Sequence, residues 1–305
     1  MDSTEEAAAV RGAPAAMWCS IASAPGKAIL FGEHSVVHGT PAVAAALSDL
    51  RCKVSAATSA ADTVRLDLSD IRDEAGRPVH FSVPASKLVA AVRAAGAGAI
   101  ASDELPRGAV LMALDTLLDD CGAAAKQALK PLLYLCAAVV LLRCRGAVTG
   151  LDVKARRVRL PVGAGLGSSA AFSVAAAAAL LGLQLKVMGK SASAPAGVPA
   201  PAQQREINGW AFAAETVIHG TPSGLDNSVS CYGGAMRYVK TPFSMTPINP
   251  VPTLRILVVN TLVPRSTRAL VAHVGDTLKR MEGAVRPIFH SIGYIADAFA
   301  HLSQK

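Results

Sequence analysis

Aromatic and charged residues are scarce in this chain of 305 residues. Phe, Trp and Tyr make up 4% of it and Asp, Glu, Lys and Arg 17%, whereas apolar residues make up 51%. Charged residues usually account for about a quarter of a globular protein. A chain so apolar and so poor in charge is not intrinsically disordered overall. We expect about two domains from the length, with a core built mainly from Ala, Val and Leu.

Several targeting and cofactor signals are also missing. The six cysteines form no C-x-x-C pair and no metal-ligand spacing, which favours a reduced, cytoplasmic location, with the peroxisome as the alternative. The acidic start of the chain, residues 1–6, lacks the basic and apolar regions of a secretory signal. Residues 132–142 and 170–185 are the most apolar segments, and both are shorter than the roughly 18 to 20 residues that span a bilayer. They predict buried helices of a soluble protein without a membrane partner.

The net charge of +8 raises the question of a nucleic-acid partner. The basic residues are scattered and barely interleaved with aromatic residues, so we expect no nucleic-acid partner. The longest basic cluster, residues 154–159, leads into a glycine-rich loop. It is interpreted either as a solvated turn or as a source of attraction for an anionic substrate.

The order of sequence patterns indicates an α+β protein. After a disordered tail (1–17), the patterns predict a strand at 18–24, a turn at 24–27, an apolar run at 28–31, a new element at 41–47, antiparallel strands within 51–83, helices over 85–145 and a strand at 151–153. Further on they predict a flexible insertion (187–203), a helix from Ile207 to Ile218 that ends at Gly220, a strand pair near 228–238, a strand at 254–260 and helices from Thr267 onward.

The glycine-rich loop is the strongest chemical signal. Three glycines, Gly163, Gly165 and Gly167, precede Ser168 and Ser169, and an alanine-rich helix follows. Glycines allow close approach of backbone amides, and a helix N-terminus favours an anion such as phosphate. The spacing matches neither a Walker A loop nor a dinucleotide fingerprint, and it nearly matches a hydrolase nucleophile elbow. Phosphate binding, an acyl-transfer nucleophile and a purely structural turn therefore stay open.

Three further clusters carry polar residues, and each has an ordinary explanation when taken alone. Lys27 suits a turn, Asp226 a helix cap, Arg265 a charged surface and Glu215 an exposed helix face. Phosphoryl transfer, however, needs a phosphate cradle, metal ligands, a group for the proton of the attacking hydroxyl and a balancing cation. The clusters are Ala24-Pro-Gly-Lys-Ala-Ile-Leu-Phe-Gly-Glu-His34, Glu215-Thr-Val-Ile-His-Gly-Thr-Pro-Ser-Gly-Leu-Asp-Asn227 and Asn260-Thr-Leu-Val-Pro-Arg-Ser-Thr-Arg268.

These motifs, in this order, resemble the GHMP family of small-molecule kinases over most of residues 20–300. Within the family, the last two clusters resemble the branch that phosphorylates mevalonate. The resemblance implies the two-domain GHMP architecture, with a ribosomal protein S5 domain 2-like N-terminal domain over residues 18–250 and an incomplete ferredoxin-like C-terminal domain over residues 251–305. It also implies ATP as co-substrate, Mg²⁺, a homodimer and feedback control by prenyl diphosphates.

The resemblance also implies roles for individual residues. Asp226 and Lys27 match catalytic positions, and Ser169 and Glu215 match the Mg²⁺ ligands. An arginine such as Arg265 suits the carboxylate of mevalonate. Glu33 also matches the family pattern, but no role is assigned to it. The remaining matches are to the ATP phosphates (Gly163, Ala164, Gly165, Leu166, Gly167, Ser168 and Ser169) and to mevalonate (Lys27, His34, His219, Arg265 and Thr267).

Three departures from the family pattern stand out. Val162 replaces a common proline, and Leu262 stands where some relatives carry lysine. The family's C-terminal motif K-L-T-G-A-G-G-G-G has no counterpart in the sequence. We therefore expect a shortened C-terminal domain and keep two alternatives to an active kinase. One is a nucleotide- or partner-binding pseudokinase, and the other is a serine hydrolase using Ser169, Asp226 and His273.

Overall fold

One mixed sheet forms the framework of the molecule. The computed structural model describes residues 17–96, 98, 100–144, 146–158, 160–161, 164–190, 197–251, 254–259 and 267–302. Its strands are β1 (Cys19–Phe31), β2 (Ala42–Ser59), β3 (Val64–Arg72), β4 (Pro78–Val83), β5 (Gly150–Val158), β6 (Ala235–Val239) and β7 (Ser244–Ile248). Mixed sheet and helices together confirm the predicted α+β class.

The long strand β2 organises this sheet. It pairs with β1 along one edge, while its other edge is divided between β6, at residues 42–45, and β5, at residues 52–59. The strand order is β4-β3-β5-β2-β6-β7, with β1 beside β2. The β3–β5 pair is parallel, and the other pairs are antiparallel. The sheet therefore branches at β2, which pairs with β5 in one branch and with β6 in the other.

The helices include the predicted alanine-rich one. Before β2 there is a short 3₁₀ helix, Ser35–His38. The longer helices are α1 (Ala85–Ala94), α2 (Gly108–Leu117), α3 (Ala123–Leu135, continued by the π-helical turn Cys136–Leu141), α4 (Ser168–Val187), α5 (Pro201–His219), α6 (Leu225–Tyr232), α7 (Thr267–Arg280) and α8 (Glu282–Leu302). Helices at 85–145, at 207–218 and from Thr267 onward are confirmed.

Helix α4 lies at the centre of the core, against β1, β2, α5 and α6. Its small residues allow a close approach to the sheet: a Cβ added at Gly182 would lie 2.5 Å from the Oγ of Ser20 on β1. The largest core cluster consists mainly of Ala, Val and Leu, as the shortage of aromatic residues predicted. Trp210 and Tyr134 are the two large aromatic side chains that are fully buried among the described residues.

Two core helices are longer than the apolar runs in the sequence. By length and composition, the 19 residues Ala123–Leu141 and the 20 residues Ser168–Val187 are long and apolar enough to cross a membrane. The sequence-based expectation that these segments are too short is therefore wrong. The fold buries 78% and 72% of their most apolar windows, respectively, as expected for core helices.

Two predicted elements have different shapes in the structure. The predicted turn at 24–27 is part of the continuous strand β1, and the irregularity falls in β2, where Pro25 pairs with Arg51 but Gly26 pairs with Leu47. Proline is tolerated where a strand ladder is interrupted. The predicted strand pair near 228–238 is instead α6 followed by β6, which pairs with β7. Buried polar residues of α6 bond to neighbouring elements, Asn227 to Asn208 on α5 and Ser230 to Pro25 on β1.

The C-terminal part of the chain also differs from expectation. Residues 254–259 form no strand, because no described strand offers them hydrogen-bonding partners; Asn260 lies outside the described residues. Of the predicted insertion at 187–203, residues 191–196 lie outside the described residues, and α5 already begins at Pro201. Residues 1–16 of the predicted tail also lie outside the described residues. The division into domains at residue 250 stays a prediction.

Helix α8 joins the C-terminal helices to the sheet. A Cβ added at Gly293 would lie 3.1 Å from Cδ of Pro41, so the helix approaches the start of β2 closely. The rings of Phe299 and Phe31 have centroids 5.4 Å apart. An ion pair of 2.6 Å between Asp297 Oδ1 and Arg237 Nε adds a charged contact to β6.

Candidate active site

The glycine-rich loop ends at the N-terminus of α4. Gly167 immediately precedes the helix and has φ of 66°, a left-handed conformation that favours glycine. A Cβ there would lie 2.8 Å from Cγ of Lys27, so space as well as conformation requires glycine. Ser168 and Ser169 are the first two helical residues, whose amides have no acceptor within the helix. This is the geometry that an anion site needs. Gly163 and Val162 lie outside the described residues.

Lys27 connects this loop to the predicted catalytic aspartate. Its backbone N–H donates to the carbonyl oxygen of Leu166 at 2.9 Å. Its ammonium Nζ lies 3.3 Å from Oδ1 of Asp226. Lys27 is 6% exposed, whereas the Asp226 side chain is 38% exposed and therefore open to a ligand. The structure thus brings the two predicted catalytic residues together beside the loop.

Local backbone geometry places Asp226 there. Gly224, with φ of 78°, precedes α6, and Asp226 lies in the first turn of that helix. Directly after Asp226, the buried Asn227 donates from Nδ2 to Oδ1 of Asn208 on α5 at 2.8 Å. Helix α6 is therefore held against α5 on one side and β1 on the other.

Glu215 on α5 is a buried carboxylate. It is 4% exposed, so the alternative of an ordinary exposed glutamate is wrong. Its Oε1 accepts a hydrogen bond of 2.9 Å from Ser173 Oγ, and its Oε2 accepts one of 3.2 Å from Ser169 Oγ. Burial raises the pKa of Glu215 to about 7, helped by the charge of Asp226 and opposed by the two serine hydroxyls. Sequence analysis missed Ser173, although it follows Ser169 at the i+4 spacing that puts both on one helix face.

His219 lies with this carboxylate. Its Nε2 is 3.6 Å from Glu215 Oε2 and 3.4 Å from Ser169 Oγ. In a hydrolase triad, the carboxylate must hold the ring nitrogen that does not face the serine. Here the same nitrogen faces both groups, so Ser169, His219 and Glu215 do not form a hydrolase triad. The histidine of the hydrolase alternative, His273, lies on α7, and that alternative stays a prediction. The contacts of His219 also associate it with the predicted Mg²⁺ ligands, although the family resemblance suggested a role in binding mevalonate.

The remaining predicted site residues are less fully defined. His34, next to the 3₁₀ helix, has φ of 65° and is the one non-glycine residue with positive φ among those described. Such strain costs about 1–2 kcal/mol and tends to occur at functional sites. Glu33 is exposed. Arg265 lies outside the described residues, and Thr267 begins α7 without a described side chain.

A cavity adjoins the N-terminus of α4. Its volume is about 630 Å³, and its polar lining includes Ser168, Ser169 and His219. Apolar side chains such as Leu68, Ile71 and Phe172 line other parts of it. It therefore combines hydroxyl groups near the anion site with an apolar surface, the usual character of a small-molecule pocket.

A complete cage of protein ligands for a metal is not found. Within the described ranges, no group of three or more His, Cys, Asp and Glu side chains is arranged to hold a metal ion. Glu215 and Ser169 supply two oxygen ligands at most from the predicted set. An ion bound here would need further ligands from a substrate or from water, which is common for Mg²⁺.

Comparison with known proteins relates this geometry to a family. Residues 132–234 match the model of the GHMP kinases N terminal domain. Mevalonate kinase of Mus musculus is 38% identical over 279 residues, which cover 90% of this chain and 67% of the mouse protein. The chain thus spans about two thirds of the length of this relative.

Solved structures show the same fold at lower sequence identity. Methanococcus jannaschii mevalonate kinase aligns with a TM-score of 0.56 and 18% identity, covering 95% of this chain and 73% of that protein. L. major mevalonate kinase in complex with R-mevalonate aligns with a TM-score of 0.55 and 21% identity, covering 94% and 69%. From the family model and the identity with the mouse enzyme, the chain belongs to the mevalonate kinases of the GHMP kinase family.

Proposed function

We propose that this chain transfers the γ-phosphoryl group of ATP to the C5 hydroxyl of mevalonate. The observation that carries the proposal is the position of Lys27. Its backbone is hydrogen-bonded to the glycine-rich loop, and its ammonium is 3.3 Å from Asp226. Lys27 therefore connects the glycine-rich loop to Asp226, a carboxylate that can accept the proton of an attacking hydroxyl.

In the proposed mechanism, Asp226 accepts the proton of the C5 hydroxyl as its oxygen attacks the γ-phosphorus. The bond from that phosphorus to the β,γ-bridging oxygen breaks, and ADP leaves with the bonding electrons. The ammonium of Lys27 offsets negative charge near the attacking oxygen. The free amides at the start of α4 stabilise charge on the phosphate oxygens. Positioning and electrostatics account for most of the catalysis in such a reaction.

The residues around Glu215 fit a magnesium ion. A buried carboxylate with two serine hydroxyls provides hard oxygen donors, which Mg²⁺ prefers. Burial raises the pKa of this carboxylate to about 7, so a cation beside it would favour its ionised form. Glu215 and Ser169 would hold the ion, and Ser173 would orient Glu215. When bound, the ion would neutralise charge on the nucleotide phosphates.

The cavity beside Ser168 and Ser169 supports a location for the rest of the nucleotide. Its apolar surface suits a base, and its hydroxyl-lined end is next to the helix N-terminus. Mevalonate would then lie on the Asp226 side of the loop, and His34 stays a predicted mevalonate ligand. Homodimer formation, control by prenyl diphosphates and a cytoplasmic location remain predictions from the family resemblance.

The test of the proposal is a coupled assay for ADP release from ATP and (R)-mevalonate, run beside isothermal titration with a non-hydrolysable ATP analogue. Mevalonate-dependent ADP release with product identified as 5-phosphomevalonate supports it. Binding of the analogue without turnover would instead favour the pseudokinase alternative. Labelling of Ser169 by a fluorophosphonate probe would favour the hydrolase, and we expect none.

A further inference from the structure

Besides the ion pair between Lys27 and Asp226, a hydrogen bond connects α6 to β1. Ser230 follows Asp226 by four residues on α6, so both side chains lie on the same helix face. The Oγ of Ser230 donates to the carbonyl oxygen of Pro25 at 2.6 Å. Ser230 is 3% exposed, so this bond is shielded from water. The face of α6 that presents Asp226 to Lys27 is therefore attached to β1 at two points.

The acceptor carbonyl lies beside the irregularity in the β1–β2 ladder. Pro25 stands at the register shift of the β1–β2 ladder, two residues before Lys27. On the other side of the shift, the N–H of Lys27 bonds to Leu166 in the glycine-rich loop. The backbone that carries Lys27 is thus held by α6 through Pro25 and by the loop through its own amide.

The hydroxyl of Ser230 has an unusual partner for a helical serine. Serine hydroxyls inside helices commonly bond to a backbone carbonyl one turn earlier in the same helix. Ser230 instead reaches across to another element, and the bond joins residues 205 positions apart in the sequence. A bond of that kind fixes the relative position of two elements, which local bonding within the helix does not do.

We propose that Ser230 is a positioning residue that sets the separation between the carboxylate of Asp226 and the ammonium of Lys27. This inference rests on the proposed function, because it assigns those two groups to the reacting hydroxyl. Because Ser230 is buried and bonded to Pro25, we assign it no direct contact with ATP or mevalonate. Without this hydroxyl, the face of α6 that carries Asp226 is held less firmly to β1, and a displacement of about 1 Å at a reacting group costs about 100-fold in rate.

The first variant to test is Ser230→Ala, with Ser228→Ala as the matched control. Ser228 is also buried on α6, but its hydroxyl contacts Asn208 on α5. We expect Ser230→Ala to lower kcat about 10- to 100-fold with the KM for ATP changed less than 2-fold. Ser228→Ala keeps kcat within about 2-fold. Equal effects of the two variants on kcat would overturn the proposal.

A second pair of measurements keeps the test decisive when Ser230→Ala folds poorly. Ser230→Thr retains the hydroxyl and is expected to recover most of kcat, whereas Ser230→Cys, a weak donor of similar size, is expected to recover little. Equal activity of the Thr and Cys variants would contradict a role for the hydrogen bond.

Crystal structures of the variants provide a readout that does not require activity. We expect the distance from Lys27 Nζ to Asp226 Oδ1 to exceed 4 Å in Ser230→Ala and to stay near 3.3 Å in Ser228→Ala. An unchanged distance in Ser230→Ala overturns the proposal. If the unaltered chain shows no mevalonate-dependent ADP release, the proposed function fails, while this distance still decides the role of Ser230.

Discussion

The region around α4 and the segment 254–259 use apolar residues in opposite ways. Leu180 and Leu183 on α4 are completely buried, whereas Leu257 is 88% exposed and Val259 71% exposed. Both stretches are strongly apolar in sequence, so composition does not explain the difference. Helix α4 satisfies its own backbone hydrogen bonds and packs against β1 and β2. Segment 254–259 would need a neighbouring strand for its backbone, and no described strand pairs with it.

The same comparison applies to polar groups. Near α4, the buried Lys27, Ser173 and Glu215 all have partners, and these partners belong to the candidate active site. The C-terminal helices have mainly exposed polar pairs, such as Arg286 with Glu282. Polar groups that are buried and paired are costly to disturb, whereas exposed pairs contribute little. The site therefore depends on the region that is most strongly packed.

The largest expected effect is that of Asp226→Ala on turnover. Loss of the group that accepts the hydroxyl proton is expected to lower kcat about 1,000-fold, within the range for general-base catalysis. Binding of the ATP analogue, measured by calorimetry, is expected to change less than about 3-fold. The matched control is Asp297→Ala on α8, which is expected to keep kcat. Activity of Asp226→Ala within a few-fold of the unaltered chain would show that the base is wrongly assigned.

The next largest expected effect is a loss of stability on shortening a core side chain. Leu180→Ala removes a fully buried side chain from α4 and is expected to lower the free energy of unfolding by about 3 kcal/mol. Chemical denaturation monitored by circular dichroism measures this change. A loss below about 1 kcal/mol would show that α4 is not packed as described.

The next prediction is an effect of Glu215→Gln on the pH dependence of the free energy of unfolding. Because burial raises the pKa of Glu215 from 4.5 to about 7, the folded state binds more protons than the unfolded state between these values. The unaltered chain therefore loses stability as pH rises from about 4.5 to 7. We expect the ionised Glu215 to lower the free energy of unfolding by about 3 kcal/mol at pH 8, and Glu215→Gln to remove most of that cost.

Denaturation at pH 5 and pH 8 measures this difference. Glu206→Gln is the control on the same helix, because Glu206 is only partly buried and pairs with Arg143. Its pH dependence is expected to match that of the unaltered chain. Identical pH dependence of Glu215→Gln and Glu206→Gln would contradict the raised pKa.

The smallest effect is expected at Leu257. Since its side chain is 88% exposed, Leu257→Ala should change the free energy of unfolding by less than about 0.5 kcal/mol. The comparison with Leu180→Ala then measures the contrast between the two regions directly. A loss at Leu257 similar to that at Leu180 would mean that segment 254–259 is packed in solution.

Sequence predicted the parts of the fold that are locally determined. The loop-to-helix junction at Gly167 and the end of α5 at Gly220 follow from residues that are adjacent in the chain. The continuous path of β1 through Pro25 was not predictable in this way. It depends on the register of β2, which lies more than 20 residues further along.

The same distinction holds for the candidate site. Lys27, Ser169, Glu215 and Asp226 were named from motifs, and the structure brings them close to one another. The burial of Glu215 and the hydrogen bond from Ser230 to Pro25 depend on tertiary packing. A motif names the residue types that a reaction needs, but their environment arises only when distant segments meet.

The close contact at Gly182 has a mechanical consequence for the site. Helix α4 touches β1 near both of its ends, at Gly167 against Lys27 and at Gly182 against Ser20. These glycines are 15 positions apart, about 22 Å along a helix axis. A bulkier residue at Gly182 would push α4 away from β1 as a rigid body, and Ser169 on the same helix would move with it. The geometry of the phosphate cradle is therefore sensitive to a residue on the opposite side of the fold.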